Sequence, residues 1–129
     1  MKLATLFAGV VVVSGLGAAP VMADDLSPFG TWQTTGGASR YEVTACGDGT
    51  QICAKLTWLR PDARTDENLR YLNKYVVKGA VASAPNKWRG TVHYAGQQIG
   101  GSVTLLNQNE MRLKGCKLVF CKSLEFKRI

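Results

Sequence analysis

Two cysteine pairs constrain this chain more than any other feature, because each falls in register within a run that alternates polar and apolar residues. Setting Cys46 opposite Cys53 places Ala45 against Ala54, Val43 against Leu56 and Tyr41 against Trp58. That face is wholly apolar or aromatic, while Thr44 with Lys55 and Glu42 with Thr57 share the other face with the cysteines. A period of two is the mark of a half-buried strand. The same register leaves Gly49 and Thr50 as a two-residue loop, and a type II′ turn takes Gly at its first central position. In the second run, Cys116 opposite Cys121 sets Leu113 against Leu124 and Met111 against Phe126, and Arg112 meets Glu125 outside. Its loop, Lys117 to Phe120, is unusually apolar for a turn.

The spacing around "CGDGTQIC" fits neither a C-x-x-C redox motif nor the usual zinc knuckle. Four cysteines allow three connectivities, and pattern alone leaves crossed bridges open. The local bridges Cys46–Cys53 and Cys116–Cys121 are favoured, because both registers sort the faces and an exported chain meets an oxidising compartment.

Elsewhere the chain reads as short alternating segments broken by Gly, Asn and Asp, with no sustained helical period. Strands are expected at about 30–35, 40–46, 51–59, 75–82, 88–94, 98–106, 110–116 and 121–128. A two-residue loop at Ala95-Gly96 pairs Val92 with Ile99 and Trp88 with Val103. Consecutive hairpins imply a single eight-stranded antiparallel up-and-down barrel. The one long connection, 60–74, is expected to hold a helical turn with Asp66 near its cap, and to lie across a barrel end.

The first residues, "MKLATLFAGVVVVSGLGAAPVMADD", have the basic start, apolar run and small residues of a Sec-type secretory leader, with cleavage expected after Ala23. The apolar run is broken by Ser14, Gly15 and Gly17, and falls short of the roughly 20 residues of a spanning helix. Residues 24–129 then form one domain in the periplasm or outside the cell. The formal charge is +7, of which Lys2 contributes one, and the basic residues from Arg40 to Arg128 are scattered. Outside the cytoplasm nucleic acid is not expected as a partner, and envelope lipid, wall polymer or an acidic ligand are the anionic candidates, but a plain solvated surface is the favoured reading of this bias, and a monomer is expected.

"GTW" at 30–32 opens the first strand in lipocalin-like barrels, where the Trp closes the base under an Arg of the last strand. Here Arg128 shares the inward parity of Leu124 and Phe126, so Trp32 and Arg128 are the expected closing pair. The order "GTW", "CGDGTQICAKLTWL", "TDEN", "GAV", "W" before "GTVHY", "GGSVTL", "MRLKGC" and a final aromatic-x-Arg resembles a family of small exported bacterial proteins, domain of unknown function 2147. The resemblance covers nearly all of residues 24–129 and implies a lipocalin-like barrel without a general activity. The chain departs from the family pattern in a shorter 60–74 loop without Asn-Pro-Asp, and in Phe126 at a position that tends to be Trp.

Catalysis has little to draw on. His93 is the only histidine and alternates outward with Arg89 and Thr91. One histidine and bridged cysteines make no zinc set, and Asp62, Asp66, Glu67 and Asn68 lack the ordered spacing of an EF-hand. No catalytic residue, metal ligand or cofactor site is therefore expected, and an enzyme ranks last.

Binding is the stronger expectation. Tyr41, Trp58, Tyr75, Trp88 and Tyr94 are the candidate ligand-binding rings, all expected to face inward with Trp58 and Trp88 on the same side of the wall. They alternate with small Ala45, Ala54, Gly79, Gly90 and Gly101. Rings packed onto glycines would fill the barrel, which is the plainer outcome, and would leave an envelope interaction protein binding acidic polymer or a protein partner through its basic outer face, including Lys55, Arg112 and Lys114. A hollow barrel would instead hold one small, mostly apolar ligand.

Overall fold

The computed structural model describes residues 26–94 and 96–129, so the expected leader at 1–23 lies outside the described residues. Eight strands follow in chain order: β1 (Gly30–Thr34), β2 (Ser39–Cys46), β3 (Gln51–Leu59), β4 (Tyr75–Ala84), β5 (Lys87–Tyr94), β6 (Gln97–Asn107), β7 (Glu110–Lys117) and β8 (Phe120–Arg128). Each pairs antiparallel with the next, and β8 returns to β1 to close the barrel. Closure leaves no free sheet edge along the paired wall, which is how an all-β chain of this size satisfies its backbone.

Up-and-down order sorts the connections into two ends. The β2–β3, β4–β5 and β6–β7 turns gather at one, which we term the base, with Arg128. The β1–β2, β5–β6 and β7–β8 turns gather at the other, with the 60–74 connection. That connection holds a 3₁₀ turn, Pro61–Ala63, and a helical turn, α1 (Asp66–Leu69). Thr65 caps α1, its Oγ1 accepting from the Asn68 amide at 3.2 Å, and Asp66 and Glu67 sit in the first turn where helix partial charge favours acids.

The core is aliphatic around two rings. Trp32, Val43, Ile52, Leu56, Leu59, Val77, Ala80, Val92, Val103, Leu105, Met111 and Phe126 are all buried. Cys46 is joined to Cys53 and Cys116 to Cys121, one bridge near each end of the barrel.

The β7–β8 register is the expected one, with Cys116 on Cys121, Leu113 on Leu124 and Met111 on Phe126. The β2–β3 register is shifted by two: Cys46 pairs with Gln51, Val43 with Ala54 and Tyr41 with Leu56. The cause is the turn. Asp48 Oδ1 accepts from both the amide (3.0 Å) and the hydroxyl (2.6 Å) of Thr50. Gly47 and Gly49 take φ of 63° and 97°, so residues 47–50 make a four-residue loop in place of the two-residue one. A slip of two preserves the sorting of faces, which a slip of one would reverse.

Two expected inward rings are outside. On β3, Leu56 pairs with Tyr41 and Trp58 with Arg40, leaving Thr57 as an extra residue. Such a bulge flips the parity of the residues after it. Leu59 turns in and is 3% exposed, and Trp58 turns out beneath the Arg40 guanidinium, 4.3 Å from the ring centroid. On β4 a second bulge sets Ala54 on Val77 and Lys55 on Tyr75. Tyr75 is therefore exposed, with Lys55 Nζ 5.3 Å from its ring. Trp88 packs against the core opposite Val103, so the indoles of Trp58 and Trp88 lie on opposite sides of the wall, contrary to expectation. The barrel survives this because each bulge displaces one residue locally and leaves the strand order unchanged.

Candidate functional site

Trp58 and Tyr75 are turned out of the barrel interior. A cavity of about 760 Å³ runs down the barrel. Its lining includes Val43, Ile52, Ala54, Leu56, Val77, Val92 and Val103, together with Trp32, Met111 and Phe126. Aliphatic side chains, with the Tyr41 ring among them, line the space that the sequence reading gave mainly to rings.

The floor is held by charge and hydrogen bonds together. Trp32, 1% exposed, pairs with Arg128 across β1 and β8, and the guanidinium lies 4.3 Å from its ring centroid. Arg128 also donates from Nη1 to the Phe29 carbonyl and from Nη2 to the Ser27 carbonyl, each at 2.6 Å, and from Nε to the Gln108 carbonyl at 2.8 Å. Trp32 Nε1 donates to the Pro28 carbonyl at 2.9 Å. One side chain thus ties the segment before β1, the β6–β7 turn and the buried indole.

Polar groups collect toward the other end. Thr34, Ser39, Tyr41, Glu67, Asn68, Tyr71 and His93 border the cavity there. Ser39 is buried, and its hydroxyl lies 3.3 Å from the Tyr41 hydroxyl; the Tyr41 ring meets Phe126 edge-on at 5.4 Å. The 60–74 connection lies over this mouth and contributes Ala63, Glu67, Asn68 and Tyr71. It is pinned on two sides, by Asn73 N to the Leu56 carbonyl at 2.7 Å, and by the Gly96 amide donating to Tyr71 Oη at 2.5 Å. At its start Arg60 donates to Asp62 at 2.6 Å, which holds that carboxyl below its ordinary 3.8.

β1 pairs with β8 from Trp32 to Thr34, with a further backbone bond on each side, Ile129 N to the Thr31 carbonyl at 3.1 Å and Thr35 N to the Glu125 carbonyl at 3.0 Å. Thr35, Gly36, Ala38, Ser123 and Leu124 also line the cavity.

Of the candidate rings, Tyr41 lines the cavity, Trp58 and Tyr75 stand outside it, and Trp88 packs against the core without bordering the space. Tyr94 pairs with Gln97 through its backbone, and its side chain lies outside the described residues. His93, expected to face solvent, is half-buried at the mouth. The sequence reading missed Ser39, Glu67, Asn68 and Tyr71 as cavity residues. Three of these sit in the connection expected to cross a barrel end, and that was the signal available for them. Among the described residues no three His, Cys, Asp or Glu side chains gather where they could hold a metal ion. No helix among them is long and apolar enough to cross a membrane.

Neither the curated proteins nor the solved structures hold a match to this sequence. The family model described as "Uncharacterized protein conserved in bacteria (DUF2147)" matches residues 30–128, the whole barrel from the start of β1 to the end of β8, and the chain belongs to that family.

Proposed function

We infer that the barrel is a binding module for one small, mostly apolar ligand, held inside the strands and admitted at the end covered by the 60–74 connection. The observation that carries this reading is the cavity of about 760 Å³ with an aliphatic wall and a polar rim. Small-molecule sites have volumes of roughly 300–1,000 Å³ and combine a hydrophobic lining with a few placed polar groups. Burial in the aliphatic wall supplies affinity, at about 25 cal/mol per Å² removed from water, and the hydroxyls of Ser39 and Tyr41 with the Asn68 amide orient a polar end. The filled-barrel alternative is weakened, since Trp58 and Tyr75, two of the five rings offered to fill the space, are turned away from it.

The leader-like first residues and two disulfides support an exported, oxidising compartment as the place of work. Native mass spectrometry of the oxidised protein, purified from the host periplasm without detergent, tests the reading. One co-purified molecule per chain, released on unfolding, is expected. Repeated ligand-free spectra together with no uptake of an added fatty acid or retinoid would overturn it.

A further inference from the structure

The β7–β8 hairpin ends in a feature that the cavity does not use. Leu118, Val119 and Phe120 stand at its tip, 91%, 86% and 77% exposed. Lys117 pairs with Phe120, so Leu118 and Val119 alone form the turn, and Leu118 takes a φ of 58°. Tight hairpin turns place Gly, Asn or Asp at such a position, because a Cβ is disfavoured there. A bulky apolar residue in its place, 91% exposed, breaks the local rule of turn chemistry and gains little from burial. Departures of that kind concentrate at functional positions.

The surroundings identify what would cover the tip. Residues 111–124 carry Arg112, Lys114, Lys117 and Lys122 and not one acid. Arg112 is neutralised by Glu125 at 2.9 Å, while the three lysines are exposed and in no ion pair among the described residues. Three contiguous apolar side chains ringed by cations suit an interface whose outer layer is anionic and whose inside is hydrocarbon. The Cys116–Cys121 bridge lies directly behind, so the tip is ordered by a covalent link rather than by packing, and its apolar groups remain free to insert.

We propose that this protein docks on anionic lipid bilayers through the β7–β8 tip, with Leu118, Val119 and Phe120 entering the interface and Lys114, Lys117 and Lys122 contacting the headgroups. The tip is at the same end of the barrel as the cavity mouth, so docking turns the mouth toward the lipid. The docking stands on the tip alone and does not require the cavity to be occupied.

The test is co-sedimentation of oxidised protein with phosphatidylglycerol-containing vesicles, compared with phosphatidylcholine vesicles. Binding to the anionic vesicles is expected, weakened by salt, and lowered at least about tenfold in L118D/F120D. Both positions are exposed, so the doubly substituted protein should keep its circular dichroism and thermal transition. In Phe120→Trp, which adds an indole at the tip, emission should shift to the blue when anionic vesicles are added. Equal sedimentation of wild type and L118D/F120D would overturn the proposal, as would the absence of binding to anionic vesicles. A tip-dependent dimer in analytical ultracentrifugation without vesicle binding would assign the tip to a second copy of the chain instead. Apolar dye uptake by L118D/F120D separates this outcome from any failure of the cavity reading.

Discussion

Arg128 lies 4.3 Å above the centroid of the Trp32 ring while two of its nitrogens hold the carbonyls of Phe29 and Ser27. The first and last strands of the barrel are thereby joined by one side chain. Arg128→Ala removes a cation over an indole, about 0.5–2 kcal/mol, and leaves those carbonyls without a charged donor. A loss of about 2–3 kcal/mol in urea unfolding is expected. Arg128→Lys should recover only part of it, because an ammonium cannot make the planar fork. Trp32→Ala, at a fully buried ring, should cost about 3–5 kcal/mol.

The two bridges should contribute separately. Cys46–Cys53 and Cys116–Cys121 span sequence separations of 7 and 5. Loop-closure entropy then gives roughly 2–2.5 kcal/mol for each. Paired serine substitutions at either bridge should lower the urea midpoint by comparable amounts. C116S/C121S should in addition weaken vesicle binding, since it frees the tip, whereas C46S/C53S at the other end should not.

Leu118 offers a trade between stability and docking. Replacing it with Gly at φ 58° relieves the Cβ conflict and should stabilise the fold by about 1 kcal/mol, while weakening association with anionic vesicles. Stabilisation without any loss of vesicle binding would show the leucine to be incidental.

The β2–β3 turn should titrate. The hydrogen bonds from Thr50 hold the Asp48 carboxyl below its ordinary 3.8. A carboxyl lowered on folding adds stability that is complete above pH 3.8 and disappears as pH falls through the lowered value. Asp48→Asn should therefore flatten the acid limb of the stability profile and leave neutral-pH stability only slightly reduced. An unchanged acid limb would contradict the assignment.

Strand order and the β7–β8 register were legible because alternation, turn residues and the cysteine pair agreed over that stretch. The β2–β3 register was misjudged for a physical reason: Gly49-Thr50 satisfies a two-residue turn on paper, but the Asp48 carboxylate stabilises a longer one, and both solutions keep the same face inward. Bulges carried the larger consequence. Nothing in Lys55-Leu56-Thr57-Trp58 marks Thr57 as an extra residue, and the Arg40 guanidinium that covers the displaced indole comes from the neighbouring strand, out of view of the local pattern. That single residue moves a tryptophan out of the interior, and its counterpart on β4 does the same for Tyr75.

The hollow interior is tested most directly by titrating an apolar fluorescent dye into wild type and Ala54→Phe. Ala54 lines the cavity, so its enlargement should enter open space at a cost below about 1.5 kcal/mol. Wild type is expected to bind one dye per chain, and Ala54→Phe, folded and with its transition nearly unchanged, to bind none. Severe destabilisation of Ala54→Phe, or a wild type that takes up no dye, would contradict the cavity.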